Sequence, residues 1–485
     1  MTEYFEGLWL VRLLVQRGLA AIYLLAFTSA LCQFRPLLGE RGLLPAPRLL
    51  AQSTFRALPS VFHAHYSDRF FARVAWSGIA LSLVALSGLS EAGPLWLSML
   101  VWLALWALYM SIVNVGQTFY GFGWESMLLE AGFFAAFLGP AQLAPSAIPI
   151  VILRWMLFRV ELGAGLIKLR HDSCWRDLTC LYYHYETQPI PNPLSWHFHR
   201  IPKPLQRLSV LFSHFVQLVA PFGLLLPQPF ASIAGVLIIG HQLLLVISGN
   251  YSWLNWLTIV LGFSAFGDAQ LRLVLPVEAP EIFERSLAND VMLYALAVVT
   301  GFLSIEPARN FFSPNQLMNY SYNALHLVNV YGAFGSVTRE RYEIVLEGSS
   351  AHAGDDDWRP YEFKGKPGDP TRRPRQIAPY HLRLDWLMWF LPLAAVVTSD
   401  GVYARRVERW FITLVQRLLE GDRATLALLG RNPFPDTPPL RVRARFFRYQ
   451  FADASERAKT GAWWTRTEVG PYMTPITLAE IATAR

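Results

Sequence analysis

Apolar residues along this chain come in long blocks, without the polar interruptions of a soluble domain. Nine blocks approach spanning length, at about 13–31, 74–89, 95–113, 119–138, 148–169, 208–225, 230–247, 253–266 and 291–305. A helix needs roughly 20 apolar residues to cross a bilayer. The last block is short, so the pattern predicts a polytopic α-helical membrane bundle of eight or nine hydrophobic segments. The first block follows a charged start and is too long for a signal-peptide core. It ends in Cys32-Gln33-Phe34-Arg35, with no small-residue cleavage site, and reads as a retained helix. The polar stretch 34–73 carries turn signals at Gly39-Glu40-Arg41-Gly42 and Leu44-Pro45-Ala46-Pro47.

After Pro307 the period shortens. VNVYGAFGSVT and RYEIVLEGSS read as two strands, WRPYEFKGK as a third, and LRVRARFFRYQF (440–451), which alternates apolar residues with Arg, as a fourth. Helical patterns fall at 382–397 and 403–419. In the first, Asp385 and Pro392 argue for packing on the sheet or at the interface over crossing the bilayer. The chain thus divides into a transmembrane region, 1–306, with a loop at 168–207, and a soluble β-rich α+β domain, 307–485.

Composition agrees. The chain is 53% hydrophobic and 14% aromatic, with only 16% charged residues and a mean hydropathy of +0.29; a soluble protein averages lower apolar content and higher charge. Its net charge of +7 fits juxtamembrane charge near lipid, and no nucleic-acid motif accompanies it. No internal repeat of the transporter kind, GxSxG motif or nucleotide-binding loop is present, and no cofactor is implied. Metal is not expected. His63 and His65 lack a third ligand, and the three cysteines have no paired zinc spacing.

The charges inside the apolar blocks change the picture most. Glu125 and Glu130 lie in the fourth block, and Arg154, Arg159, Glu161 and Lys168 in the fifth. Such groups are costly in hydrocarbon and face a partner, a cavity or the interface. Arg154, Glu161 and Lys168 are spaced by seven and share one helical face, whereas Arg159 and Glu161 point apart. Two readings follow. The carboxylates pair with Arg154, Arg159 or Lys168 and hold the bundle in register. Alternatively, Lys168 is a base lowered in pKa by burial, with Glu125, Glu130 or His171 completing a catalytic site. Gly163 and Gly165 permit close helix approach.

The loop beyond Lys168 holds Cys174 and Cys180, which form either a disulfide or two free thiols. Their spacing is not that of C-x-x-C oxidoreductases. Trp175, Tyr182, Tyr183, His184, Tyr185 and Trp196 supply rings for packing or for gripping an apolar segment, and Pro189, Pro191 and Pro193 stiffen the backbone. Asn250-Tyr251-Ser252 is a formal glycosylation sequon, placed unfavourably between closely spaced segments.

GLIKLRHDSCWRDLTCLYYHYETQPIPNPLSW resembles the signature run of the lipase maturation factor family. GFGWESMLLEAGF, ISGNYSWLNWLT, YGAFGSVTRERYEIVLEGS and WRPYEFKGKPGD continue the resemblance in order along most of the chain. It implies a membrane chaperone for a secreted lipase client, in the endoplasmic reticulum membrane of a eukaryote or the inner membrane of a bacterium, with lipid as its other partner. The apolar-Lys-aromatic exit is also distantly similar to the membrane part of the vitamin K-dependent gamma-carboxylase group, which implies the enzymatic alternative. On orientation two rules conflict. Basic residues in the 34–73 stretch, the loop and the C-terminal domain place all three in the cytoplasm. The resemblance places them in the lumen or periplasm.

Overall fold

The structure, a computed structural model, describes residues 7–351, 357–398, 401–404 and 408–483. Nine helices make the N-terminal bundle: α1 (Trp9–Leu38), α2 (Asp68–Ser87), α3 (Leu95–Val115), α4 (Gly123–Ala135), α5 (Ala147–Arg170), α6 (Lys203–Leu218), α7 (Phe230–Ser248), α8 (Leu254–Gly262) and α9 (Leu287–Leu303). Among the described residues, five helices are long and apolar enough to cross a membrane: α1, α2, α3, α7 and Leu287–Phe312, which includes α9. The other expected segments are helical but differ in kind. α5 has the length yet carries five charges, while α4, α6 and α8 are short.

Helix ends are fixed by local chemistry. Ser67, Ser146 and Ser286 accept backbone N–H groups at the starts of α2, α5 and α9. α1 has no local cap. Its first N–H groups, of Trp9 and Leu10, go to the Asp268 carboxylate at 3.0 and 2.8 Å, where an anion also suits the helix dipole. Arg12 and Gln16 bind the carbonyls of Ala141, Leu143 and Gly139 at the same end. α2 stops at Gly88, whose φ of 89° needs a glycine.

At the opposite end lie the C-termini of α1 and α5, the loop 168–207 and the whole C-terminal region. A four-stranded antiparallel sheet has the order β2-β1-β3-β4, with β1 Arg341–Ser349, β2 Arg359–Pro360, β3 Arg441–Phe451 and β4 Trp464–Ile476. All of β1 pairs with residues 441–449 of β3, with Ile344 opposite Phe446. One face packs on α10 (Arg383–Leu393) and α11 (Arg409–Leu419) through Ile344, Leu346, Phe446, Leu387 and Leu414. The other face packs Val345, Phe447 and Tyr449 against Trp196 of the loop and Trp464.

Three expectations for this region need correction. VNVYGAFGSVT is not a strand. Apart from one isolated bridge, Tyr320 to Val330, it runs irregularly with Val328 and Phe334 at positive φ, because its polar groups bond the bundle instead of a neighbouring strand. The helix expected to 397 ends at Leu393, past the internal Pro392, and gives way to a hairpin of Ala395–Thr398 and Gly401–Ala404. That hairpin takes the start of the helix expected from 403, and residues 405–407 of it lie outside the described residues. β4, with little apolar alternation, was not anticipated.

Candidate functional site

The buried charges of the bundle sort into three groups. Glu130 of α4 and Arg159 of α5 form an ion pair, 0% and 1% exposed. Glu130 also accepts Asn329 N–H at 2.7 Å, the Asn329 side-chain amide at 2.9 Å and the Tyr331 hydroxyl at 2.8 Å, while Arg159 donates to the Asn329 carbonyl. The pair therefore grips the segment that leads into β1. Gly163 matters here: a Cβ would sit 2.3 Å from the Tyr331 carbonyl oxygen. Gly165 plays the helix-contact role, facing Leu218 of α6. His326 and Val328, both at positive φ, are held in place nearby. Ser321 lies 3.0 Å from His326 Nδ1, and Nε2 of that ring is 2.8 Å from Asn114. Strain of this kind persists only where the surroundings fix it.

Glu125 turns the other way and pairs with neither Lys168 nor Arg159. It takes Arg383 of α10 at 2.7 Å, with Tyr109 donating to its second oxygen. His381 lies 3.8 Å away and packs among Phe122, Trp124, Trp253 and Trp386, with centroids at 4.9–6.0 Å. Burial, with Arg383 adding to it, pushes His381 down to about 4, so it is neutral at pH 7. Gln33 receives Arg383 N–H and donates to the His381 carbonyl at 2.7 Å. Asn250 spends both ends of its amide on Arg375, Ile377, Ala378 and Pro191. It is 2% exposed and cannot carry a glycan.

Arg154, Glu161 and Lys168 form the third group, and its members do not pair with one another. Arg154 turns to the Ser264 and Phe266 carbonyls. Lys168 Nζ donates to Gln217 at 2.6 Å, Gln217 donates to Glu161 at 3.3 Å, and Gln242 donates to Glu161 at 2.7 Å. A buried carboxylate and a buried ammonium are thus joined only through neutral amides. The ammonium also lies 4.8 Å from the centre of the Trp175 ring. His171 is exposed, and the proposed catalytic set of Lys168, Glu125, Glu130 and His171 is not assembled at one place.

In the loop, Cys174 and Cys180 are joined by a disulfide. Both are buried, at 2% and 0% exposure, so the bond staples the loop and presents no sulfur for exchange. Asp172 comes within 4.8 Å of the two sulfurs, but bonded sulfurs are not metal ligands. Asp172 instead accepts Cys174 and Val337 N–H and pairs with Arg339. The Arg339 hydrogen bond, helped by those N–H groups, lowers its pKa to about 2. Trp175 donates to the Phe334 carbonyl at 2.9 Å, and Trp196 to that of Ala452 at 2.9 Å. His184 contacts the Tyr251 hydroxyl at 2.9 Å and is pushed down to about 3, chiefly by burial. Trp175, His184, Tyr185 and Trp196 are buried, while Tyr182 and Tyr183 are half-exposed under Lys203 and Arg339.

Comparison with known proteins gives this geometry a family. The model of the lipase maturation factor transmembrane domain matches residues 10–273, and that of the lipase maturation factor C-terminal domain matches residues 327–474. The chain belongs to the lipase maturation factor family. It is 42% identical to lipase maturation factor 1 of Mus musculus, covering 98% of this chain and 88% of that protein. Against lipase maturation factor 1 of Homo sapiens the identity is 41%, covering 98% and 89%. Lipase maturation factor 2 of Homo sapiens is 28% identical over 98% and 84%. No solved structure matches, and the distant carboxylase likeness finds no support in these comparisons.

The two matched regions of the chain meet at the ion pairs. Glu125, Glu130 and Arg159 lie in the first, and Asn329, Tyr331, His381 and Arg383 in the second. The last four, with Gln217 and Gln242, escaped the sequence reading. A charge or amide is ordinary in a soluble domain and carries no signal until its partner is known. Gln217 and Gln242, as amides inside apolar blocks, were the detectable exceptions.

Two expected outcomes follow. Arg383→Met leaves Glu125 buried without its cation and is expected to destabilise by about 3–5 kcal/mol, whereas Arg383→Met with Glu125→Leu recovers much of that. Thermal unfolding of detergent-purified protein checks this, and equal loss in single and double variants would reject the bridge. For the loop, alkylation of denatured, unreduced protein followed by mass mapping is expected to modify Cys32 alone. With reductant, all three cysteines are modified. Modified Cys174 or Cys180 without reductant would mean that the staple does not form.

Proposed function

We propose that this chain is a membrane-anchored maturation factor that helps a secreted lipase-type client reach its active, assembled form. The carrying observation is 41–42% identity to lipase maturation factor 1 across 98% of the chain. Coverage includes both the bundle and the sheet domain. A scaffold of this kind needs a rigid platform at the membrane surface. Glu130–Arg159, Glu125–Arg383 and the disulfide supply rigidity without chemistry. The same chemistry accounts for the shorter and more charged helices α4, α5, α6 and α8. They complete an eight- or nine-segment bundle in which their polar groups face protein. The loop, the sheet domain and the client lie on one side, the endoplasmic reticulum lumen in a eukaryote or the periplasm in a bacterium.

A second reading rests on Lys168, whose bridge to the Glu161 carboxylate runs through the Gln217 amide. There it would serve as the base of a membrane-embedded enzyme. Co-expression with a secreted lipase in cells lacking their own factor separates the two. The maturation reading expects the wild type to raise lipase activity per unit of lipase protein, and no rise would reject it. The scaffold reading further expects Lys168→Met, at matched membrane level, to retain at least about half of that effect. A loss of roughly tenfold or more, about 1.4 kcal/mol, would favour chemistry at Lys168.

A further inference from the structure

α6 is built inside out. Gln206, Ser213, His214 and Gln217 are among its buried residues. Leu205, Leu208, Leu211, Phe215, Val219 and Phe222 form one exposed stripe that runs on past its C-terminus. An apolar stripe at helical spacing turned outward, with the polar positions turned inward, is the mark of a helix against lipid. The stripe begins at Leu205, so the membrane surface on this side lies at the start of α6. There Gln206 folds the helix back on the preceding turn, donating to the Phe198 and His199 carbonyls at 3.2 and 3.0 Å.

A cluster of cations stands at that level, held by aromatic rings. Arg200 lies 4.2 Å from the centre of the Trp196 ring and Lys203 5.4 Å from that of Tyr182. Arg457, on the short helix Ala454–Thr460, lies 4.5 Å from Trp196 and 3.6 Å from Trp463, and Arg373 lies 5.4 Å from Trp463. The two indoles are buried and packed edge to face with centroids 6.3 Å apart. Trp196 and Arg200 both donate to the Ala452 carbonyl, at 2.9 and 2.5 Å, which ties the loop to the sheet domain here. Among the described residues no carboxylate pairs with Arg200, Lys203, Arg373 or Arg457. The carboxylates whose fields reach Arg200, Glu186 and Asp453, are spent on the N–H groups of Phe451 and Glu456 at 2.7 and 2.8 Å. Stacking on an indole covers a face of the guanidinium and leaves its N–H edge free, and that edge matches the oxygens of a phosphate. An acidic polypeptide would meet the charge and leave the exposed leucines directly beneath it unmet. A phospholipid meets both, with phosphate at the height of the cations and acyl chains along the stripe.

We propose that Arg200, Lys203 and Arg457 bind the phosphodiester headgroup of an anionic phospholipid whose acyl chains lie along Leu205, Leu208 and Leu211. Three cations with no carboxylate among them favour a headgroup that lacks its own ammonium, such as phosphatidylglycerol, over phosphatidylcholine. Arg200 belongs to the loop and Arg457 to the sheet domain, so the lipid joins both to the membrane surface. The assignment does not depend on the identity of the client.

The test uses the full chain in a non-ionic detergent and dye-labelled phosphatidylglycerol in mixed micelles. Wild type is expected to bind the labelled lipid saturably. Arg200→Gln/Lys203→Gln, which alters only exposed side chains, is expected to weaken binding about tenfold, and Arg457→Gln to do the same from the sheet domain. Arg69→Gln/Arg73→Gln removes as much charge from the start of α2, at the same end of the bundle but with no indole beside it among the described residues, and is expected to leave binding unchanged. Thermal unfolding checks that each variant folds. Unlabelled phosphatidylcholine is expected to compete about fivefold more weakly than phosphatidylglycerol. No saturable binding, binding by Arg200→Gln/Lys203→Gln equal to wild type, or equal weakening by Arg69→Gln/Arg73→Gln would each overturn the proposal. So would equal competition by phosphatidylcholine. Displacement at equal charge by glycerol phosphate would make this a site for a soluble phosphate, and displacement by polyglutamate a site for an acidic polypeptide; either result rejects the lipid.

Discussion

A carboxylate inside an apolar helix has to be met, and in this protein the way Glu130 is met organises everything outside the bundle. Arg159 neutralises it, and Asn329 and Tyr331 fill its remaining lone pairs. Those last two residues belong to the segment that becomes β1. Leaving either charge unpaired in the interior would cost several kcal/mol, so the segment is held in an irregular course that its own sequence does not favour. β1 then begins at a fixed place, and the sheet built on it is positioned over the loop end of the bundle.

Other contacts repeat the device. Glu125 reaches Arg383 at the start of α10, and Gln33 and Asn250 bind the stretch just before it. Arg341 reverses the direction, with a cation of the sheet domain capping carbonyls of the loop. The disulfide shortens the loop, and Trp175, Trp196 and Asp172 tie it to the segments on either side. The outcome is a membrane anchor and a surface platform with little freedom between them. A preformed site loses less conformational freedom on binding, and that is the advantage a rigid platform offers a flexible client.

Much of this was legible in the sequence, for identifiable reasons. Long apolar blocks give helices, and alternation with Arg gave β3 nearly residue for residue. The cost of charge in hydrocarbon points to Glu125, Glu130, Arg159 and Lys168 as residues with partners, and Glu130–Arg159 is one of the pairings the sequence offers. What stayed hidden is non-local. Glu125 and Glu130 are five residues apart, yet their partners lie about 260 and 200 residues further along the chain. VNVYGAFGSVT has strand-like composition, but long-range hydrogen bonds to the bundle overrode it. β4 had no alternation to read, since much of it is exposed. The aromatic loop was legible as a ring cluster, but most of its rings face inward as mortar.

The central claim is that the bundle's buried charges exist to dock the extramembrane region. Hydrogen–deuterium exchange on wild type and on the Glu130→Leu/Arg159→Met double variant tests it directly, because that pair of changes leaves no orphan charge to unfold the bundle. The account predicts that protection is lost across residues 326–334 and the start of β1 while α1, α3 and α5 keep theirs. Unchanged protection of residues 326–334 in the double variant would contradict it.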